Sequence, residues 1–172
     1  METKKLICLA KAGDKEALIR LVMDKKEEYY RLAYVYLHNK DDTMDALQDM
    51  IIILFKSIKK LRNDEVFYCW SKTILANCCK DILRRKKKVI HFDPKIDAEY
   101  IENYNNTELR QDVMVALRKL NKDQQEAIKM KYLLDMDYET VSEIVKAPVG
   151  TVKSRVHNGV SMLRRMLGGE YT

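Results

Sequence analysis

Apolar side chains recur three and four positions apart along most of the chain, which is the repeat of an α-helix. Between residues 44 and 61 the repeat is unbroken and predicts one long helix with the core face Met44, Leu47, Ile51, Leu54, Ile58 and Leu61. Glycine and proline, which interrupt helices, number only five and two in 172 residues. The sequence therefore predicts an all-α fold.

Charge divides the chain into three parts. Residues 1–88 carry 20 Lys and Arg against 13 Asp and Glu, residues 89–107 carry 1 against 4, and residues 108–172 carry 11 against 9. The acidic middle part has no sustained repeat, which is typical of a linker. We therefore expect two small helical domains, residues 1–88 and 108–172, joined by a flexible linker at 89–107. The formal charge of +6 favours a polyanionic partner such as nucleic acid.

Capping residues mark the predicted helix ends in the first domain. Gly13 should end a short first helix, and Asp14 should cap the next one. After a turn at residues 39–40, Asp41 or Asp42 should cap the long helix, because carboxylates are favoured at a helix N-terminus. On this helix Asp45, Gln48, Asp49, Ile52 and Lys56 form a second, mixed face that suits a protein partner.

The basic end of the helix predicted at residues 66–88 is a candidate for contact with DNA. Five consecutive cations, Arg84 to Lys88, exceed what a helix dipole needs and resemble a phosphate-binding edge. Side chains upstream could face single-stranded bases, which stack on aromatic rings: Tyr68, Trp70, Lys72 and Asn77. The core face of the same helix is predicted as Phe67, Trp70, Ile74, Cys78 and Ile82 or Leu83.

The last part of the chain has the pattern of a helix-turn-helix. Thr107 and Asn121 are the predicted N-caps of two helices, and Gln124 stands three residues after the second, as in a capping box. Asp137 should cap a short helix, residues 146–148 form a tight turn, and a longer basic helix begins near Val149. The first of these helices carries the apolar stripe Leu109, Val113, Ala116, Leu117 and Leu120.

Several aspartates suggest a metal site, but the pattern is incomplete. Asp41, Asp42 and Asp45 spell DDxxD, which resembles the magnesium–diphosphate motif of prenyl diphosphate synthases. Such an enzyme needs a second carboxylate cluster across a cavity, whereas Asp135 and Asp137 flank a turn and are predicted to act as caps. The three histidines are scattered, and the chain has no phosphate-binding glycine loop. We therefore expect no enzyme activity, metal, cofactor or small-molecule substrate.

The four cysteines show no metal-ligand spacing and lie within apolar helical patterns. Cys8, Cys69, Cys78 and Cys79 are therefore predicted to be reduced and packed as small hydrophobic residues. The sequence has no signal peptide pattern and no apolar run near the roughly 18 residues of a membrane span. We expect a cytoplasmic protein.

Three segments, in order, resemble the extracytoplasmic-function (ECF) sigma factors of bacterial RNA polymerase. The segment at 147–167, APVGTVKSRVHNGVSMLRRML, is similar to that family's helix that reads the −35 promoter element. The segment at 41–58 is similar to its polymerase-binding helix, and the segment at 67–88 is similar to its promoter-melting and −10-reading helix. The resemblance covers residues 3–168 and implies a region 2 helical bundle and a region 4 helix-turn-helix.

The resemblance also implies partners and site residues. It implies binding to core RNA polymerase (the β′ clamp helices and the β flap), to promoter DNA of a stress or envelope regulon, and to an anti-sigma factor that is often membrane-bound. The polymerase-binding residues would be Asp45, Gln48, Asp49 and Ile52. The −10 residues would be Asn63, Trp70, Lys72, Asn77, Lys80, Arg84, Arg85, Lys86 and Lys87. The −35 residues would be Thr151, Lys153, Ser154, Arg155, His157 and Asn158.

Spacing within the last helix places most of these −35 candidates on one face and Arg155 off it. Lys153, Ser154, His157 and Asn158 share one narrow face, whereas Val152, Val156, Val160 and Leu163 lie opposite and should pack inward. Arg155 lies off the reading face and is predicted to contact the DNA backbone or its own domain.

The sequence departs from the family's usual pattern at a few positions, which leaves the promoter sequence preference open. Asn158 and Gly159 stand where arginine and alanine are common, and Lys72, Thr73 and Ala76 replace more usual residues. The alternative interpretation is a two-domain helix-turn-helix regulator that does not bind core polymerase as a sigma factor. A pure protein adaptor would not explain the last helix and the Arg84–Lys88 run together.

Overall fold

The computed structural model describes residues 2–89 and 108–167, and every regular element in these ranges is helical. The all-α prediction is confirmed. The chain divides into two compact units, to which residues 2–89 and residues 108–167 respectively belong. Residues 90–107, which contain most of the predicted linker with His91 and the proposed cap Thr107, lie outside the described residues. The domain limits at 88 and 108 stay predictions.

Residues 2–89 form five α-helices, and their first two boundaries follow the predicted caps. The helices are α1 (Glu2–Ala12), α2 (Lys15–Met23), α3 (Lys26–Leu37), α4 (Lys40–Ser57) and α5 (Phe67–Val89). Gly13 ends α1 with a φ of 107°, a conformation that glycine adopts without steric cost. The Asp14 carboxylate then accepts a hydrogen bond from the Ala17 N–H (3.1 Å) and starts α2.

The start of α4 corrects one prediction. The side chain of Asn39 accepts a hydrogen bond from the Asp42 N–H (3.0 Å), so Asn39 is the N-cap and the helix begins at Lys40. Asp41 and Asp42 occupy the first turn, where their charge still favours the positive helix end. Asn39 takes the capping position because its backbone is extended there, with φ −142° and ψ 133°.

The core face of α4 is also rotated from the predicted one in its first half. Thr43, Ala46, Met50 and Leu54 are the buried residues, whereas Met44 is 45% exposed. Small side chains at the first two positions let α4 pack against α3 and α5, and hydrophobicity alone does not select them. The helix ends at Ser57 and a 3₁₀ turn (Ile58–Lys60) follows, so the predicted end near residue 61 was too late.

The core of α5 is centred one position later than predicted. Trp70 and Ile74 are only half-buried, whereas Ser71 and Leu75 are fully buried. Ser71 is tolerated there because its Oγ and the hydroxyl of Tyr29 on α3 share a hydrogen bond of 2.6 Å. Other buried residues of α5 are Phe67, Ala76, Cys78 and Cys79.

The cysteine prediction is confirmed for two thiols and wrong for one. Cys78 and Cys79 are buried, and burial raises their pKa to about 11 and about 12, so both thiols are protonated at neutral pH. Cys69 is half-buried. Cys8 is exposed, because it lies on the outer side of α1, away from the buried Leu6 and Ile7.

Residues 108–167 form a second helical core. Its helices are α6 (Glu108–Arg118), α7 (Lys122–Ile128), α8 (Tyr138–Val145) and α9 (Val149–Leu167), with a π-helical turn (Lys129–Leu133) after α7. Asn121 and Asp137 cap α7 and α8 as predicted, by accepting hydrogen bonds from the N–H groups of Gln124 (2.9 Å) and Thr140 (2.7 Å). Asp135 is not a cap: with a φ of 49° it forms a left-handed turn before α8.

Gly159 allows α7 and α9 to approach closely. It is buried, and a Cβ atom built on it would lie 2.5 Å from Cδ1 of Ile128 and 3.4 Å from Cβ of Gln124. The surrounding core contains Leu117, Leu120 and Ile128, with Val113, Val160, Met162 and Leu163 packed against it. The glycine therefore has a packing role that offsets its poor helix propensity.

Gly159→Ala is expected to lower the free energy of unfolding by about 1 kcal/mol. Overpacking a core costs about 1–3 kcal/mol, and the gain in helix propensity returns about 0.5–1 kcal/mol. Urea unfolding of the whole chain measures the change. Gly150→Ala is the matched control, because a Cβ there meets nothing within 4 Å and should not destabilise. In an Ile128→Val background, which removes the clashing methyl, the cost should largely disappear; a stabilising Gly159→Ala in both backgrounds would contradict the packing role.

Candidate polymerase and nucleic-acid interfaces

The outer face of α4 carries three of the four predicted polymerase-binding residues in the open. Asp45 and Gln48 are exposed, and Ile52 is 49% exposed. Asp49 is half-buried. Burial is the main cause of the raised pKa of the Cys78 thiol on α5, and the negative charge of Asp49 raises that pKa further. Further apolar side chains are exposed on the same helix: Met44, Ile53 and Phe55. Carboxylates beside exposed apolar groups are typical of a protein-binding surface.

A stripe of three predicted −10 residues runs along α5. Trp70, Asn77 and Arg84 recur every seven residues, which places them on one side of the helix, two turns apart. Trp70 and Asn77 are half-buried and Arg84 is exposed, as is the neighbouring Arg85. The Trp70 ring lies 6.3 Å from the ring of buried Phe67, measured between centroids, so the core fixes one side of the indole.

Lys72 lies away from this stripe, in an ion-pair network with α3. Its Nζ is 2.8 Å from one carboxylate oxygen of Glu28, and Lys25 is 2.7 Å from the other. These two hydrogen bonds lower the pKa of Glu28 to about 2. Since the folded pKa is the lower one, the stabilisation is present above the ordinary pKa of a glutamate and is lost as pH falls toward 2.

Several other predicted −10 cations also contact neighbours within the same unit. Lys86 binds Asp42 at the start of α4 (2.5 Å), and Lys80 lies 5.8 Å from the ring centroid of Tyr36. Arg84 pairs with Asp81. The side chain of Lys87 lies outside the described residues. The structure therefore aligns Trp70, Asn77 and Arg84 along one side of α5 and directs Lys72 and Lys86 toward acidic partners.

Asn63 lies in the connection before α5. This connection contains a 3₁₀ turn (Asp64–Val66), and the Asn63 side chain caps it by accepting a hydrogen bond from the Glu65 N–H (3.0 Å). Asn63 and Glu65 are exposed, whereas Leu61 and Phe67 on either side are buried. The turn is thus a short exposed segment held between two core residues.

The reading face predicted on α9 is exposed as a group. Thr151, Lys153, Ser154, His157 and Asn158 are all exposed, whereas Val152 and Val156 opposite them are buried. Val160 and Leu163 pack against the core of this unit, as expected. Arg155 is bound to Asp123 of α7, which confirms the predicted contact within its own domain.

Two features beside α9 were not predicted. A shallow groove of about 430 Å³ lies between its first turns and the start of α7 with its N-cap Asn121, so Lys122 and Gln124 border the reading face. The Tyr138 ring has two ammonium groups near it, with its centroid 5.0 Å from Lys131 Nζ and 5.6 Å from Lys153 Nζ. Such cation–π contacts join residues from three separate elements, so sequence spacing gives no signal for them.

The aspartates of the DDxxD pattern do not converge. Among the residues that the structure describes, no group of three or more His, Cys, Asp and Glu side chains could hold a metal ion. Asp42 binds Lys86, while Asp41 and Asp45 are exposed. Within the same described ranges, no helix combines the length and apolar character of a membrane span.

Comparison with known families assigns both units. A model described as Sigma-70 region 2 matches residues 21–89, and one described as Sigma-70, region 4 matches residues 110–163. The two matched segments together span more than two thirds of the 172 residues. The chain belongs to the sigma-70 family.

Relatives agree with this family, and one of them is named as an ECF sigma factor; a solved structure has a similar fold. The chain is 29% identical to RNA polymerase sigma factor SigV of Bacillus subtilis, over 93% of this chain and 96% of that protein. It is also 29% identical to the ECF RNA polymerase sigma factor SigW of the same organism, over 97% of each. The sigma factor RpoE of Bartonella quintana, solved with the anti-sigma factor NepR, has a similar fold, with a TM-score of 0.65 at 22% identity over 88% of this chain and 96% of that one.

These matches confirm the resemblance to ECF sigma factors, and the function of the chain is that of an RNA polymerase sigma factor. The relatives are named as sigma factors, not as enzymes. The matches do not assign individual side chains, so the roles of the exposed faces on α4, α5 and α9 remain to be proposed.

Proposed function

We propose that this sigma factor uses the exposed face of α4 to bind core polymerase and the faces of α5 and α9 to select promoters. The observation that carries this proposal is that region 2 and region 4 matches follow one another in one chain, each with an exposed polar face at the expected helix. Residues 1–88 would then bind polymerase and the −10 element, and residues 108–172 would read the −35 element. Residues 89–107 would link them.

The polymerase-binding face would be Asp45, Gln48, Asp49 and Ile52. An exposed carboxylate, Asp45, and a half-buried one, Asp49, beside the exposed Ile52 fit a partner surface that is cationic with an apolar centre. In this family that partner is the pair of β′ clamp helices, with the β flap contacted by region 4. Asp45 is the more exposed of the two acids, so a change of its charge tests the interface with less effect on packing.

In the −10 region, direct base contact and phosphate contact would fall to different residues. Trp70 and Asn77 on the exposed stripe, with Asn63 in the preceding turn, would meet unstacked bases. Arg84 and Arg85 would hold backbone phosphate, and Lys72, Lys80, Lys86 and Lys87 would add positive charge around them. Lys72, Lys86 and Arg84 must exchange their carboxylate partners for phosphate to do so.

In the −35 region, α9 would enter the major groove with its exposed face. Lys153, Ser154, His157 and Asn158 would contact base edges or phosphates, and Thr151 lies at the entry of the helix. Arg155, bound to Asp123, would orient α7 against α9. Any DNA contact that it makes would be to the backbone and not to a base.

Asn158→Ala should relax −35 preference at one base pair. An asparagine that is bidentate to adenine discriminates by about 1–3 kcal/mol, which is roughly 5-fold to 150-fold. Selection from a library of randomised −35 elements, using polymerase loaded with each variant, measures the change. Arg164→Ala, which removes an exposed side chain at the far end of α9, is the control. An unchanged preference at every position would remove Asn158 from the reading face.

The cellular setting follows from the same proposal. A chain that binds polymerase and promoters would act in the cytoplasm, and an anti-sigma factor, of the kind that is often membrane-bound in this family, would hold it inactive until a stress or envelope signal arrives. The NepR complex of the B. quintana RpoE gives a precedent for such a partner. This part of the proposal predicts that a co-expressed anti-sigma factor covers the α4 face.

Transcription with purified components tests the proposal as a whole. Core polymerase with and without the protein is given fragmented genomic DNA, and the 5′ ends of the transcripts are sequenced. New start sites that share −10 and −35 elements are the expected result. DNA binding by the protein alone, without new start sites, would instead favour the helix-turn-helix regulator.

A further inference from the structure

One side of α1 faces the exposed turn that precedes α5. Lys4, Ile7 and Lys11 lie at helical spacing on a single stripe, and Ile7 at its centre is completely buried. The two lysines are separated by two helical turns, which is about 10 Å. The two lysines lie on either side of the buried Ile7, which fixes α1 in the core. The helix can therefore hold both ammonium groups at fixed positions.

Each of these lysines binds one acid of the turn. Lys4 Nζ lies 3.0 Å from a carboxylate oxygen of Glu65, and Lys11 forms an ion pair with Asp64. The side chains of Lys11 and Asp64 are only 27% and 32% exposed, against 67% and 70% for Lys4 and Glu65. Water and salt screen a partly buried pair less, so Lys11–Asp64 is the stronger restraint.

Further contacts fix the end of α1. Gly13 ends α1 two residues after Lys11, and the Asp14 N–H donates a hydrogen bond to the Leu9 carbonyl at 3.0 Å, which closes the last turn of the helix. The N-terminal helix is thus bound to the turn at residues 64 and 65.

We propose that α1 positions the Asn63–Val66 turn for reading the −10 element, with Lys11 and Asp64 as the main positioning residues. The inference rests on the proposed function, in which Asn63 meets a base. A 3₁₀ turn of three residues has poor hydrogen-bond geometry and little stability of its own. The direction of the Asn63 side chain, which caps this turn, therefore depends on external contacts, and the lysines of α1 supply them.

The direct test replaces Lys11 by Met, which keeps the aliphatic length and removes the charge. Polymerase loaded with each variant selects from a library of randomised −10 elements, and thermal unfolding is followed in parallel. Lys11→Met should lose roughly five-fold to ten-fold of the base preference at the position that Asn63 contacts, with little change in melting temperature. Lys11→Arg, which keeps the ion pair, should retain the preference. Lys5→Met removes an exposed charge from the same helix and should also retain it.

A second substitution separates positioning from direct contact by Asp64. If Lys11 acts through Asp64, Lys11→Met should have no further effect on base preference in an Asp64→Asn background. Additive effects, or a preference equal to wild type in Lys11→Met, would overturn the inference. Should Lys11→Met unfold, Asp64→Asn decides it on the same readout, because it removes the same ion pair from the other side: a similar loss of base preference is expected, and a preference equal to wild type would overturn the inference.

The controls also distinguish this inference from the proposed function. Wild-type protein that gives no −10-dependent initiation would contradict the proposed function itself. Wild-type selection that is altered by Asn63→Ala but not by Lys11→Met would leave the proposed function in place and reject the role of α1.

Discussion

Asp45→Lys should weaken binding to core RNA polymerase by about 100-fold. Asp45 is fully on the exposed side of α4, at the N-terminal end of the proposed polymerase face. Placing like charges together at an interface costs several kcal/mol, where each 1.4 kcal/mol is a factor of ten. A titration of labelled sigma factor with core polymerase, repeated at several salt concentrations, measures the loss. Circular dichroism should show unchanged helix content, because the side chain makes no core contact.

Asp45 is a sharper test than Asp49. Asp49 is half-buried and close to the Cys78 thiol, so reversing its charge would disturb the packing of α4 on α5 as well as the interface. Glu16→Lys is the matched control, since it makes the same charge change at an exposed position of α2. Equal affinity of Asp45→Lys and Glu16→Lys for core polymerase would remove α4 from the interface.

Arg84→Ala combined with Arg85→Ala should weaken promoter opening at all promoters and flatten its dependence on salt. Each phosphate contact contributes about 0.9 to the slope of log K against log salt concentration on duplex DNA, so the slope should fall by up to about 1.8. Opening is measured by fluorescence of a base analogue in the −10 element between about 50 and 200 mM salt, a range over which phosphate contacts change affinity strongly.

The control for the arginine pair removes two cations elsewhere. Lys15→Ala with Arg20→Ala changes the net charge by the same amount on α2, where both side chains are exposed and no −10 residue is proposed. Its salt slope should stay near wild type. A changed base preference with an intact slope in the Arg84/Arg85 variant would reverse the division between base-reading and phosphate-binding residues.

The sequence predicted features that depend on residues close together in the chain. Asp14, Asn121 and Asp137 cap helices because each side chain meets an N–H group three residues later, a contact that any helix start can form. The inward side of α9 was predicted for the same reason, since Val152 and Val156 are one helical turn apart. The order of the three segments that resemble ECF sigma factors was likewise visible in the sequence, and this order predicted the family.

Tertiary structure decided the features that depend on contacts between distant residues. Thr43 and Ala46 replace Met44 in the core of α4 because small residues allow close helix packing, which an apolar repeat does not reveal. Lys72 contacts Glu28 and Lys86 contacts Asp42, and each pair is 44 positions apart in the sequence. The number of charged residues in a segment could not show that these two lysines form ion pairs within the protein.

Contacts between distant residues also explain the roles of Gly159 and α1, which the sequence did not predict. From sequence alone Gly159 is a costly helix residue, and only the fold shows why it is needed, because a Cβ atom at this position would lie 2.5 Å from Ile128 Cδ1. Lys11 and Asp64 lie 53 positions apart and are charged residues of ordinary appearance until the fold joins them. Local periodicity and capping set the helices of this sigma factor, whereas packing between helices decided which charged groups are held and which remain exposed for a partner.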